Sequence, residues 1–253
     1  MSATPSRTVA RAARDALEQL LATDAPALRR QLPPDFLDRA ERYVALLLET
    51  NARMNLTRVV DPDAVARLHL LDALAALGLI DAVAPSLALD LGSGGGVPGL
   101  VLAIARPNIR WVLVDSVRKK IDALRTFAAA LGLRNVEVLA ERAEILGRDP
   151  ERRDRADLVT ARACASLPVL LEYALPLLRV DGRLVAWKGP IGDDELSAGG
   201  RAAGELGGGV PWVEPTGVEA LGEHRFVLVE KVRPTPARFP RRPGEAARRP
   251  LGG

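Results

Sequence analysis

Leu89-Asp90-Leu91-Gly92-Ser93-Gly94-Gly95-Gly96-Val97-Pro98-Gly99 is the stretch that decides how this chain folds. It grows out of a short apolar run, 87–91, and runs into an apolar helix pattern at 99–106. A strand that turns through glycines into a helix is built to approach a ligand. Glycine lets the backbone bend tightly and come close, and the helix N-terminus offers free N–H donors. Two templates fit the glycines. Gly92, Gly94 and Gly96 spell G-x-G-x-G, whereas Gly94, Gly96 and Gly99 spell G-x-G-x-x-G, the dinucleotide fingerprint.

Two acids weigh between them. Asp115 ends the next apolar run, 19 residues after Gly96. A carboxylate there accepts bonds from the ribose hydroxyls of an adenosine ligand, which serves NAD and S-adenosylmethionine equally. Asp90 stands directly before the glycines, where it repels a pyrophosphate and attracts an ammonium and a sulfonium. That favours S-adenosylmethionine. Arg142-Ala143-Glu144 follows the third run, in the loop that borders the base in α/β nucleotide sites.

Further runs extend the pattern outward: 111–114, 136–140, 157–160 and 183–187, with helical segments at 117–131 and 167–178 between them. Runs alternating with helices imply βαβ units and a parallel sheet covered on both faces. Residues 226–232 read as a last strand paired with 210–218, which makes seven, and 189–209 reads as a loop rich in Gly, Asp and Glu. The expected fold is α/β and Rossmann-like, with a mostly parallel seven-stranded sheet. Ahead of it lies a helical cap, residues 33–84. Phe36, Leu37, Ala40, Tyr43, Val44, Leu47 and Leu48 repeat at helical spacing, and Asp61-Pro62 starts a second helix that runs to Gly78. Residues 1–32 read as a poorly anchored extension, 85–232 as the ligand-binding domain, and 233–253 as an extended, mobile tail rich in Arg and Pro.

Composition bounds the function. The 253 residues are 48% hydrophobic and 26% charged with a formal charge of +3, which excludes a disordered chain. A single cysteine, Cys164, excludes a disulfide framework, and with two histidines no metal centre is expected. The most apolar stretch, 73–89, is broken by Asp81 and Pro85 and is too short to span a membrane. A cytoplasmic monomer is expected.

Methyl transfer to carbon-5 of a pyrimidine needs a cysteine nucleophile, and Cys164 reads as a packing residue. Exocyclic amines go with a Pro-Pro-aromatic turn after the fourth strand, where this chain has Thr160-Ala161-Arg162-Ala163. A ring nitrogen with a free lone pair needs only positioning and favourable electrostatics. Arg162 and Lys188, at the ends of the fourth and fifth runs, are the candidates for that work. His69 and Asp72 share one face of a cap helix.

These residues resemble a known family, the bacterial 16S rRNA (guanine-N7) methyltransferases, also called the glucose-inhibited division protein B family. The matches run in order: Asn55-Leu56-Thr57; His69-Leu70-Leu71-Asp72; the glycine loop with its Val97-Pro98-Gly99 ending; Asp115-Ser116 with Lys119-Lys120; Arg142-Ala143-Glu144; Arg162-Ala163; Lys188-Gly189; and the Arg-rich tail. The resemblance covers roughly residues 35–250. Leu68 and Ala73 depart from it, standing where the family has Arg and Ser. It implies the class I S-adenosylmethionine-dependent methyltransferase fold, and transfer to N7 of a guanine in the decoding-region loop of 16S rRNA, free or in an assembling small subunit. Carried over, Gly92, Val97, Ala143, Glu144 and Arg162 contact the donor, beside Asp90, Gly94, Gly96 and Asp115 read from the residues themselves. Candidates for RNA contact are Asn55, His69, Arg118, Lys119, Lys120, Arg238, Arg241 and Arg242. With only four Phe, three Trp and two Tyr, recognition would rest on phosphate and shape. Two alternatives stay open: an NAD-linked oxidoreductase, and a non-catalytic RNA-binding protein on the same fold.

Overall fold

The computed structural model describes residues 4–253, so the first three residues of the expected extension lie outside the described residues. The chain opens with helices α1 (Pro5–Thr23), α2 (Pro26–Arg29) and α3 (Phe36–Asn51). Asp61 caps α4 (Pro62–Val65) by accepting from the Ala64 amide at 2.9 Å. A wider, π-type stretch, Ala66–Leu71, then leads into α5 (Asp72–Leu74), and α6 (Leu77–Val83) completes the cap. The second cap helix is therefore three pieces rather than one, with its π-type turns centred on His69.

Strand and helix then alternate: β1 (Leu87–Leu91), α7 (Gly99–Ala105), β2 (Arg110–Asp115), α8 (Arg118–Ala130), β3 (Val136–Ala140), α9 (Ala143–Leu146), β4 (Ala156–Arg162), α10 (Leu167–Ala174), β5 (Leu178–Lys188) and α11 (Asp193–Leu206). β6 (Trp212–Pro215), β7 (Arg225–Glu230) and α12 (Glu245–Arg248) end the chain. The sheet order is β3-β2-β1-β4-β5-β7-β6. The first five strands are parallel, and β7 runs antiparallel between β5 and β6. The chain leaves β1 in one direction and returns to β4 on its other side. A crevice therefore opens above the carboxyl ends of β1 and β4, the place where ligands bind in such sheets.

Each sheet face has its own core. Ala88, Trp111, Leu113 and Leu158 pack with the cap, α7 and α8, while Leu89, Leu91, Val112 and Val159 pack with α10 and α11. Alternation along β1 sends Asp90 to the cap side with Ala88. No helix among the described residues is long and apolar enough to cross a membrane.

Three expectations about local order are corrected. α1 is anchored: Ala10, Ala13, Leu17 and Leu21 are buried at spacings of three and four, and the small alanines let the helix lie close against α3 and α4. The segment read as a loop at 189–209 is mostly α11. Asp193, Asp194 and Glu195 fill its first turn, where the helix dipole favours them, and Gly199 sits where a β-carbon would strike Leu167. The tail is packed rather than mobile. Arg153 donates to the carbonyls of Gly147, Thr235 and Phe239 at 2.7, 2.7 and 2.8 Å. Phe239 and Ala246 are buried. Prolines cannot supply backbone donors, so one guanidinium does so from the side.

Candidate active site

The glycine loop is held from beneath. Gly92 and Ser93 amides donate to the Val114 carbonyl at 2.9 and 3.0 Å. The Ser93 hydroxyl donates to the Asp90 carbonyl at 2.8 Å and accepts from the Val114 amide at 3.1 Å. From above, Tyr43 on α3 donates its hydroxyl to the Gly95 carbonyl at 2.8 Å, so the cap clamps the loop. Gly92 lies at φ +70° and Gly96 at φ +102°, in the left-handed region that glycine enters without cost. Gly96 is buried against Leu100 and shapes the turn.

Asp90 is fully buried, and this corrects the expectation that its carboxylate meets the ligand. Oδ1 accepts from the Thr160 hydroxyl at 2.8 Å, while Oδ2 lies against Gly99 without a hydrogen-bond partner among the described residues. Burial raises its pKa to about 6. Asp90 lines none of the cavities described below and acts on the loop.

Asp115 lies at the crevice. Its Oδ2 accepts from the Gly94 amide at 3.0 Å and Oδ1 from the Val117 amide at 2.8 Å, with Lys120 Nζ 3.9 Å away. Each carboxylate oxygen keeps a second lone pair for a ligand. A cavity of about 350 Å³ opens there, lined among others by Asp115, Lys120, Arg142, Ala143, Glu144 and Cys164. Glu144 is buried and accepts from the Gly244 amide at 2.8 Å, tying the tail to this wall. Cys164 is exposed in this cavity rather than packed in the core; local desolvation and the neighbouring carboxylates push its thiol up to about 11, so it stays protonated.

A second cavity of about 200 Å³ is lined by Thr57, His69, Gly92, Gly94, Val97, Arg162 and Ala163, among others. The two cavities share Gly92 and Ala163 and so form one run over the ends of β1 and β4. Ala163 adopts φ +50°, a left-handed conformation unusual for a residue with a β-carbon, at the point where β4 ends. A third cavity of about 350 Å³ adjoins the run through Arg162 and Ala163 and is lined by Asp72, Trp187, Lys188, Gly189 and His224.

Arg162 is the hub. Its Nη1 donates to the Leu68 carbonyl at 2.5 Å and to Asp72 Oδ2 at 3.0 Å, and Nη2 lies 3.5 Å from His69 Nδ1. Asp72 is buried, with Oδ1 2.9 Å from His224 Nδ1, and its carbonyl accepts from the Trp187 indole at 2.8 Å. His69 Nε2 and the Thr57 hydroxyl are 2.8 Å apart. Burial, with Arg162 beside it, lowers the His69 pKa to about 4, so the ring is neutral. Cap and sheet thus meet through one polar network. Lys188 lines the third cavity, but its ammonium is committed to Glu195 at 2.8 Å and the Ala165 carbonyl at 3.0 Å.

The RNA candidates separate. Arg118, Lys119, Arg238 and Arg242 are exposed and have no acidic partner among the described residues. Lys120 is half-buried at the first cavity, and Asn55 is exposed. His69 is interior. Arg241 is corrected: its side chain grips the fully buried Glu172 through Nε at 2.9 Å and Nη2 at 2.5 Å and is not free to meet phosphate. Trp187, His224 and Tyr173, another residue of the first cavity, were not legible as site residues. Only His224, as one of two histidines, carried any signal.

This fold, with the carboxyl-edge cavity run, is that of the class I methyltransferases. The mitomycin 7-O-methyltransferase MmcR superposes with a TM-score of 0.52 at 17% identity, covering 86% of this chain and 67% of that chain, a likeness of fold alone. The family model for rRNA small subunit methyltransferase G matches residues 37–208, and the chain belongs to that family. The Ribosomal RNA small subunit methyltransferase G of Deinococcus deserti is 47% identical over 92% of this chain and 96% of its own length. That of Deinococcus radiodurans is 49% identical over 83% of each. The oxidoreductase alternative falls with this match.

Proposed function

We propose that the chain transfers a methyl group from S-adenosylmethionine to N7 of a guanine in 16S rRNA, in the assembling small subunit or the free RNA. The observation that carries this reading is the run of two cavities over Gly92 and Ala163, with Asp115 at one end and Arg162 at the other. The residues present fit the donor. A β-carbon at Gly92 would meet Cys164 Sγ at 3.1 Å, so only glycine keeps the backbone bare at the shared ridge.

Bound in this run, S-adenosylmethionine supplies a methyl group carried on a sulfonium. Asp115 accepts the ribose hydroxyls with its remaining lone pairs. Ala143 and Glu144 border the adenine. Gly92, Gly94 and Val97 leave the methionine end its space, and Arg162 offers the donor carboxylate a cation already fixed by Leu68 and Asp72. Guanine N7 carries a lone pair and no proton, so the residues need to orient two partners rather than remove a proton. Exposed Arg118, Lys119, Arg238 and Arg242 serve phosphate.

Calorimetric titration with S-adenosylmethionine and with NAD tests the donor, and mass analysis of nucleosides from treated rRNA tests the product. Binding of S-adenosylmethionine alone and appearance of 7-methylguanosine are expected. Binding of NAD, or a methyl group on another atom, would overturn the reading.

A further inference from the structure

The third cavity lies beside the donor run and adjoins it through Arg162 and Ala163. Its walls come from four separate places: Asp72 from the cap, Arg162 and Ala163 at and just past the end of β4, Trp187 and Lys188 from β5, and His224 just before β7. At about 350 Å³, with an indole in its wall, it has room for one unstacked base. We infer that this cavity takes the target guanine and that His224 reads the edge of the base opposite N7. This rests on the proposed methyl transfer and names the residue that selects its acceptor.

Asp72 sets the geometry of this cavity. Its two oxygens face in different directions, Oδ2 to Arg162 at 3.0 Å and Oδ1 to His224 Nδ1 at 2.9 Å. Arg162 and His224 therefore stand on either side of one carboxylate, Arg162 on the donor side and His224 on the far side. A base that turns N7 toward the donor run turns its N1 and N2 edge toward the far side. A carboxylate oxygen accepts hydrogen bonds, so His224 turns Nδ1–H to Asp72, and in the tautomer this contact fixes, Nε2 presents its lone pair to the cavity. Guanine presents N1–H and a 2-amino group on that edge, both donors. Adenine presents a bare N1 and no amino group there, which sets lone pair against lone pair. The imidazole in this tautomer accepts guanine and rejects adenine.

Asp72 is a positioning residue in this scheme. The indole N–H of Trp187 bonds its carbonyl and Arg162 its carboxylate, so the aspartate that orients His224 is itself fixed by two strands. His224 is partly exposed, with 40% of its side chain accessible, so replacing it opens no cavity in the core, and Asp72 keeps its pair with Arg162.

The test uses the whole protein, S-adenosylmethionine, and small-subunit particles assembled on 16S transcripts with guanine or adenine at the target position. In His224→Ala, kcat/KM for guanine falls about tenfold or more and the preference over adenine shrinks by a similar factor, while donor affinity holds within about twofold. His224→Asn, whose amide oxygen can accept, recovers part of both. Unchanged kcat/KM and unchanged base preference in His224→Ala would overturn the inference while leaving the methyl transfer intact. Absence of label with the unmutated protein would overturn both.

Discussion

Two neighbouring arginines separate a packed tail from an RNA-binding one. In Arg241→Ala, the fully buried Glu172 carboxylate loses the bonds from Nε and Nη2 and keeps only the Arg241 amide, at 2.8 Å. Breaking a buried ion pair from one side costs about 3–5 kcal/mol, a large part of the roughly 5–15 kcal/mol that holds a domain folded. At about 2–4 °C per kcal/mol for a chain of this size, the melting temperature drops by roughly 6–20 °C. Release of the tail lets water reach Glu172 and sets the lower end of that range. Arg242 is exposed, and Arg242→Ala leaves the melting temperature within about 2 °C. Thermal unfolding followed by circular dichroism reads the first effect, and the salt dependence of RNA binding reads the second. Arg242→Ala lowers the salt slope by about one, and Arg241→Ala leaves it unchanged where the tail stays docked. Glu172→Gln in the Arg241→Ala background restores part of the stability, since the unpaired charge is gone. If Arg241→Ala melts with the unmutated protein and lowers the salt slope as Arg242→Ala does, the packed-tail account is wrong.

Asp115→Ala removes the ribose acceptor and the tie to the Gly94 amide, and donor affinity measured by calorimetry should fall about 10- to 100-fold. His69 and Asp90 give opposite pH slopes. His69 titrates near 4 folded against 6.5 unfolded, so its contribution is full above pH 6.5 and is lost as pH falls toward 4, by about 3 kcal/mol. Asp90 titrates near 6 against 3.8, so its contribution is full below pH 3.8 and is lost as pH rises through 6, by about 3 kcal/mol. Urea unfolding at pH 4.5 and 7 should show His69→Gln gaining stability in acid relative to the unmutated protein and Asp90→Asn losing it; equal slopes in all three would contradict both environments. Gly99→Ala sets a methyl carbon 2.4 Å from Leu113 Cδ2 and 2.6 Å from Asp90 Oδ2, and should cost about 1–3 kcal/mol in the same assay.

Much of the sheet was legible because the strands of a parallel sheet read as short, mostly apolar runs between helices. β1 and β3 lie where those runs predicted, and the pairing of β6 with β7 follows the expected hairpin. The glycine loop was legible because its turn demands glycine. Harder to read were features in which long-range contacts override local composition. α11 holds three glycines, and its helix is recoverable only once Gly199 is seen against Leu167. The tail looks unstructured until Arg153, far away in sequence, supplies the donors its prolines lack. Asp72 and His224 are 152 residues apart, and no spacing rule joins them. Asp90 did separate the methyltransferase reading from the oxidoreductase one, but through an assumed direct contact. Strand alternation sends its carboxylate beneath the loop, where Thr160 holds it.

Transfer of labelled methyl from S-adenosylmethionine to small-subunit particles that lack their own modification, with naked 16S rRNA in parallel, decides whether this fold performs the proposed methylation. Label is expected at N7 of one guanine and is lost in Arg162→Ala. Donor binding with no label on either substrate would contradict this expectation and leave a protein of this fold without the chemistry argued for it.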